Sequence, residues 1–194
     1  MPLPSRHQTF FEDCRELLEK LNREIERYRE VAGRDEDEPE ALLKLVDQLK
    51  DSAFNASVTA WHLCDWVFND MMPEQHRKLG FTKLGDLHEH VRENCRALHL
   101  CRFAATASKH WVVEKHADPD VHVFVGHDEV GWTVYFEDHG KRTPADQVFE
   151  GARDFWNEFI RDHGIGTALD KKGLSDAEFS ALLGLDIEAN GQGS

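Results

Sequence analysis

Apolar residues recur at three- and four-residue steps through three long stretches of this chain, a period that commits most of it to amphipathic helices. The first stretch, 5–31, sets Phe10, Phe11, Cys14, Leu17, Leu18, Leu21, Ile25 and Tyr28 on one stripe, with Glu16, Glu19, Lys20, Glu24, Arg27 and Glu30 opposite. Gly33 and the run Arg34-Asp35-Glu36-Asp37-Glu38 end it, and these carboxylates fall where the dipole of a following helix favours them. The second stretch, 39–72, carries Leu42, Leu45, Val46, Leu49, Ala53, Ala56, Ala60, Leu63 and Val67. The third, 84–113, carries Leu84, Leu87, Val91, Cys95, Leu98, Cys101 and Ala105. Both turn small-sided, at Ala53, Ala56 and Ala60 in one and at Ala104, Ala105, Ala107 and Ser108 in the other. The thin parts are expected to lie against each other.

The period then changes. Val121, Val123 and Val125 alternate with His122, Phe124 and Gly126, and Trp132, Val134 and Phe136 alternate with Thr133, Tyr135 and Glu137, which predicts a hairpin over 121–137 with a loop at His127-Asp128-Glu129-Val130-Gly131. A hairpin alone is marginal in water, so it must pack on the helices. Thr143-Pro144 reads as an N-cap and first helical residue. Val148, Phe149, Ala152, Phe155, Trp156, Phe159 and Ile160 form the apolar face of that helix, and Gly164 stops it. A short helix over 175–183 and a frayed tail follow. The fold class expected is mostly α: an up-and-down bundle of three long helices plus a fourth, the hairpin inserted before the last. Residues 1–165 make one domain and 166–194 an appendage.

With 37 acidic against 23 basic residues in 194, the net charge is -14, which disfavours broad electrostatic binding to nucleic acid or anionic membranes. No apolar run reaches the length of a membrane span, and the N-terminus lacks a leader pattern, so a cytoplasmic protein is expected. Cys14, Cys64, Cys95 and Cys101 form no CxxC pair and read as reduced, buried thiols.

Two elements set ionisable groups among Trp and small residues: Trp61-His62-Leu63-Cys64-Asp65-Trp66, and Ala104 through Trp111, which contains Lys109 and His110. His62 and Asp65 are three apart, so a helix puts them on one face, where a carboxylate can fix an imidazole tautomer. His110 and Glu114 offer a similar pair. The four, His62, Asp65, His110 and Glu114, suit a divalent transition metal, and His62, Asp65, Lys109 and His110 suit a polar centre that is structural or catalytic. A separate stripe on the third helix holds His88, Arg92, Cys95 and His99, with Arg96 and Arg102 nearby. An Arg that holds phosphate and a His that moves protons are the groups needed to cleave RNA through its 2′-hydroxyl.

The Trp-His-x-x-Asp-Trp element at 61–66 and the Ala-x-x-Ser-Lys-His element at 105–110 resemble those of an uncharacterised group of bacterial helical proteins, which carry no activity to transfer. The hairpin and Phe-Trp helix over 121–160 resemble that group as well. More distantly, the helical layout resembles the HEPN superfamily, whose ribonucleases and toxin components use an Arg, four to six residues, then His. Arg92 and His99, with six residues between them, meet that spacing. Arg102 and His110, with seven, miss it. The resemblance implies a ribonuclease acting through Arg92 and His99, as a dimer across the third helix.

The leading expectation is a cytoplasmic bundle acting in assembly or regulation, as a homodimer or with a protein partner, around a buried centre of His62, Asp65, Lys109 and His110. The HEPN-like ribonuclease, which alone brings in nucleic acid, and the metal-binding bundle are the alternatives.

Overall fold

The computed structural model describes residues 10–107 and 118–166. Among these, α1 (Cys14–Val31), α2 (Pro39–Asp70), α3 (Pro73–Leu79), α4 (Leu84–Asn94), α5 (Arg96–Ala107) and α6 (Ala145–His163) carry most of the chain. Strands β1 (Val121–Asp128), β2 (Gly131–Asp138) and β3 (Lys141–Pro144) form one antiparallel sheet in chain order. The protein is therefore mostly helical with a small sheet. The expected short helix at 175–183 lies outside the described residues.

Helix α1 begins later than its apolar stripe suggests. Asp13 caps it, accepting from the amides of Arg15 and Glu16 at 3.0 and 2.9 Å, and the Cys14 amide donates to Asp70 at the end of α2 at 2.6 Å. Phe10 is left before the cap and fully exposed, not part of the stripe. From Cys14 to Tyr28 the pattern holds: Leu17, Leu18, Leu21, Ile25 and Tyr28 are buried. Glu24 is buried too, where α1 crosses α2. Burial pushes its pKa up, but the bonds from Lys20 at 2.6 Å and Arg27 at 2.8 Å outweigh that and leave it lowered. Lys20 also donates to Thr59 of α2 at 2.9 Å.

Helix α2 is the central rod. It packs against α1, α4, α5, α6 and the sheet, with Leu45, Leu49, Ala53, Ala56, Ala60, Leu63 and Val67 buried. The expected third helix is instead two. Cys95 adopts extended dihedrals (φ -139°, ψ 97°) and separates α4 from α5. Just before it, Asn94 turns its amide onto the His90 carbonyl at 2.8 Å, the local bond by which Asn competes with helix continuation. The bundle of three long helices is thus replaced by two long helices and a broken one.

In the sheet, β1 and β2 pair with Val121 opposite Asp138 and Asp128 opposite Gly131, so the turn is only Glu129-Val130. Gly131 (φ +106°) is required: a Cβ there would come within 2.6 Å of the Gly33 carbonyl. The turn after α1 docks at that point, with Gly33 donating to Trp132 and Trp132 to Arg34 at 2.9 and 3.1 Å. Thr143 and Pro144 pair with Phe136 and Tyr135 as the end of β3, so α6 starts one residue later than expected, with Pro144 at its N-cap and no side-chain cap bond. In the core, the Tyr28 ring meets Phe149 edge-on at 5.3 Å. Its hydroxyl meets Thr133 Oγ1 at 2.7 Å and accepts from the Val134 amide at 2.9 Å.

Tyr28→Phe strands two buried polar groups of β2 without altering ring packing. It should lower unfolding free energy by about 1–3 kcal/mol in urea titrations, and a smaller loss would mean that the hydroxyl ties α1 to the sheet only weakly.

Candidate functional site

The break at Cys95 gathers charged and aromatic groups from three helices. Trp61 and Asp65 project from one side of α2, His88 and Arg92 from α4, and Arg96, His99 and Arg102 from α5; each adjacent pair is three or four residues apart within its helix. The His88 ring lies over Trp61 at 4.8 Å between centroids, tilted by 31°, and the Arg102 guanidinium stands 6.0 Å from the same indole. Arg92 Nε donates to the His88 carbonyl at 3.2 Å. Arg96 bonds Asp138 through Nε and Nη2 at 2.7 and 2.5 Å, and Asp118 through Nη2 at 2.9 Å. His99 Nε2 lies 3.5 Å from the same Asp118 carboxylate.

These neighbours set the protonation states. Burial lowers the pKa of His88 first; Asp65 opposes this, and Arg92 and Arg102 add to it. Burial again leads for His99, reinforced by Arg96, Arg102 and Arg92 and opposed by Asp118. Arg102 itself is lowered, by burial and then by the charge of Arg92. Hydrogen bonds from Arg96 hold Asp118 and Asp138 below the usual carboxylate range. Both imidazoles therefore take up a proton less readily than a free histidine. The Nε2 atoms of both His88 and His99 are buried with no hydrogen-bond partner. With Asp118 beside Nε2 of His99, the neutral ring favours its proton there and keeps a basic lone pair on Nδ1.

His62 does not take the buried position expected of it. His62 is exposed on α2: Leu63, Cys64 and Val67 take the core face and Trp61 and Asp65 the face toward α4, so position 62 falls on a third side. Asp65 is half-buried and acts electrostatically on His88. Lys109, His110 and Glu114 lie outside the described residues, and with them the rest of that centre and of the proposed metal set. Arg92 and His99 do not share one helical stripe, because the chain is extended between them at Cys95. They are brought within each other's field by packing instead.

The sequence reading missed Asp118 and Asp138. No local spacing links either to Arg96; the available signal was that an antiparallel hairpin with Val121 opposite Asp138 returns the second carboxylate beside the first. Among the described residues, Asp118, Asp138 and His139 form a group whose ligand atoms lie within 4.8 Å of one another. Arg96 already supplies the cation there. All four cysteines are free and buried, as expected, and burial raises their thiol pKa values. Among the described residues no helix is long and apolar enough to cross a membrane. Comparison with protein-family models, curated proteins and solved structures returns no match.

Burial also lowers His90, beside Phe81 and Phe159. A lowered histidine takes up a proton more readily in the unfolded chain than in the folded one. Stability is therefore complete above the ordinary value of 6.5 and declines as pH falls from there through the depressed folded-state values. Asp118 and Asp138 add a separate loss only as pH drops below 3.8. Thermal melts should show Tm falling from about pH 7 to about pH 5 and His99→Gln making that fall shallower; an unchanged slope would exclude His99 from the effect.

Proposed function

We propose that the chain is a HEPN-like ribonuclease that grips an RNA phosphate with Arg92 and Arg102 and uses His99 as general base. The observation that carries this reading is the change of direction at Cys95, which sets Arg92 of α4 in one cluster with His99 and Arg102 of α5, around Trp61 and His88. Two like charges held together favour an anion between them, and phosphate oxygens fit guanidinium donors. His99 would take the proton of the ribose 2′-hydroxyl as that oxygen attacks phosphorus. The 5′-oxygen would leave with a proton from water, giving a 2′,3′-cyclic phosphate and a 5′-hydroxyl. Asp118 would steady the imidazolium formed on His99, and the arginines would balance charge on the non-bridging oxygens. Arg96, engaged by two carboxylates, would serve as a strut. A dimer across α4 and α5 would fit the same reading.

A second reading is supported by that strut. Arg96 ties α5 to the residues around the sheet, and Arg102 packs on Trp61, which is how polar groups fix helix register. On this reading the chain is a non-enzymatic up-and-down bundle that acts in assembly or regulation, alone, as a homodimer or with a protein partner, in the cytoplasm.

Incubation with an RNA oligonucleotide and its all-deoxy counterpart separates the two. The ribonuclease should cut only the RNA, leave cyclic phosphate ends, and lose about 10²–10⁴-fold in rate on His99→Gln or Arg92→Gln. The acid limb of the pH–rate profile should fall at a pH lower than 6.5, because the pKa of His99 is lowered from that value. Intact RNA with the wild-type protein, together with a lowered Tm for His99→Gln, would leave the structural reading standing.

A further inference from the structure

Between α2, α5 and the first two strands lies a cavity of about 360 Å³, open on one side. That is within the range of small-molecule sites, about 300–1,000 Å³. Along α2 its wall is Lys50, Ala53, Phe54 and Ser57, positions that share one helical stripe over two turns. Facing them are Phe103 of α5, Val123 and Val125 of β1, and Val134 and Phe136 of β2. The small Ala53 and Ala104 leave the space between these rings, and Phe54 and Val123, each 38% exposed, stand at its open side.

Two polar groups interrupt this wall, one near each end of the α2 stripe. Ser57 is fully buried, and its hydroxyl makes no hydrogen bond of ordinary geometry; its polar neighbour is the Cys101 thiol, a weak partner. A buried hydroxyl in that state favours an occupant that carries an oxygen. Lys50 is largely exposed, and its ammonium meets Asp47 Oδ1 only at 3.7 Å, a surface pair that holds it weakly. The two positions are seven residues apart, about 10 Å along the helix.

We infer that this cavity binds a medium-chain carboxylate bearing a hydroxyl or carbonyl oxygen near its far end, with the carboxylate at Lys50, the chain among the phenylalanines and the far oxygen at Ser57. The proposal does not rest on any activity of the arginine and histidine cluster.

Titration calorimetry of the full chain with ω-hydroxyoctanoate should give one saturable site, and octanoate should bind about three- to tenfold more weakly for want of the Ser57 bond. Lys50→Met should weaken both ligands about tenfold. Octanol, which has no carboxylate, should show no loss on Lys50→Met. Ala53→Leu and Ala104→Leu each fill the space and should abolish binding, with retained folding checked by circular dichroism and melting. The proposal is overturned if the wild type shows no saturable binding of ω-hydroxyoctanoate. It is equally overturned if Lys50→Met binds as the wild type does, or if a folded filling variant still binds.

Discussion

The Trp156 indole donates to the Ala60 carbonyl at 2.9 Å with the whole side chain removed from solvent, and the arrangement of the other helices follows from that contact. A donor buried at this depth costs about 1–3 kcal/mol if left unpaired, so α6 has one depth and one rotation at which it can sit on α2. The contact requires α2 to be thin there, and it is: Ala56 and Ala60 are fully buried methyl groups. With α6 so placed, Phe149 reaches Tyr28 and Phe136, which fixes α1 and the sheet around a shared aromatic centre. Gly151 then brings α6 close to α5, where a Cβ would come within 3.2 Å of the Ala97 methyl.

That close approach gives the interruption at Cys95 its role. A continuous helix over 84–107 would keep a single axis, yet α4 packs against α2 while α5 packs against both α2 and α6. The extended residue lets the two halves follow different partners. Its thiol turns toward the Gly151 carbonyl, 4.0 Å away, at the same junction. One face of the broken helix thereby collects Trp61, His88, Arg92, His99 and Arg102, and α5 presents Phe103 and Ala104 to the cavity above the sheet. Two chemically distinct surfaces thus arise from one change of direction.

Helices α1, α2 and α6 are legible because each keeps a strict apolar period over several turns, and β1 and β2 because each alternates, although the loop expected at 127–131 is a two-residue turn at 129–130. The interruption at Cys95 is not legible, since Leu87, Val91, Cys95 and Leu98 stay in phase across it and are all buried. Periodicity reports which side is apolar; it does not report whether the axis is straight. Helix α3 and strand β3 are too short to show a period, and Lys141–Pro144 is paired through its backbone. His62 was drawn inward by its aromatic neighbours, but each helical position turns by about 100°, and only the packing of α4 decides which side of Trp61 is covered. Arg92 and His99 were chosen by spacing, while their actual relation comes from the tertiary fold.

A chain of net charge -14 can carry a cationic cluster because charge acts locally. At physiological salt, exposed charges more than about 8 Å apart are largely screened, and partly buried ones are screened much less. The acidic run 34–38 is exposed, so its field is damped by solvent. Arg102 is 8% exposed and Arg92 half-buried, so their fields act at fuller strength on His88 and His99. Asp118 and Asp138 are the carboxylates best placed to cancel them, yet both face Arg96, which holds them with three hydrogen bonds. Among the described residues, Asp65 opposes Arg92 and Arg102 at His88, and Asp118 opposes Arg96, Arg102 and Arg92 at His99. It is this local field, not the total charge, that acts on His88 and His99.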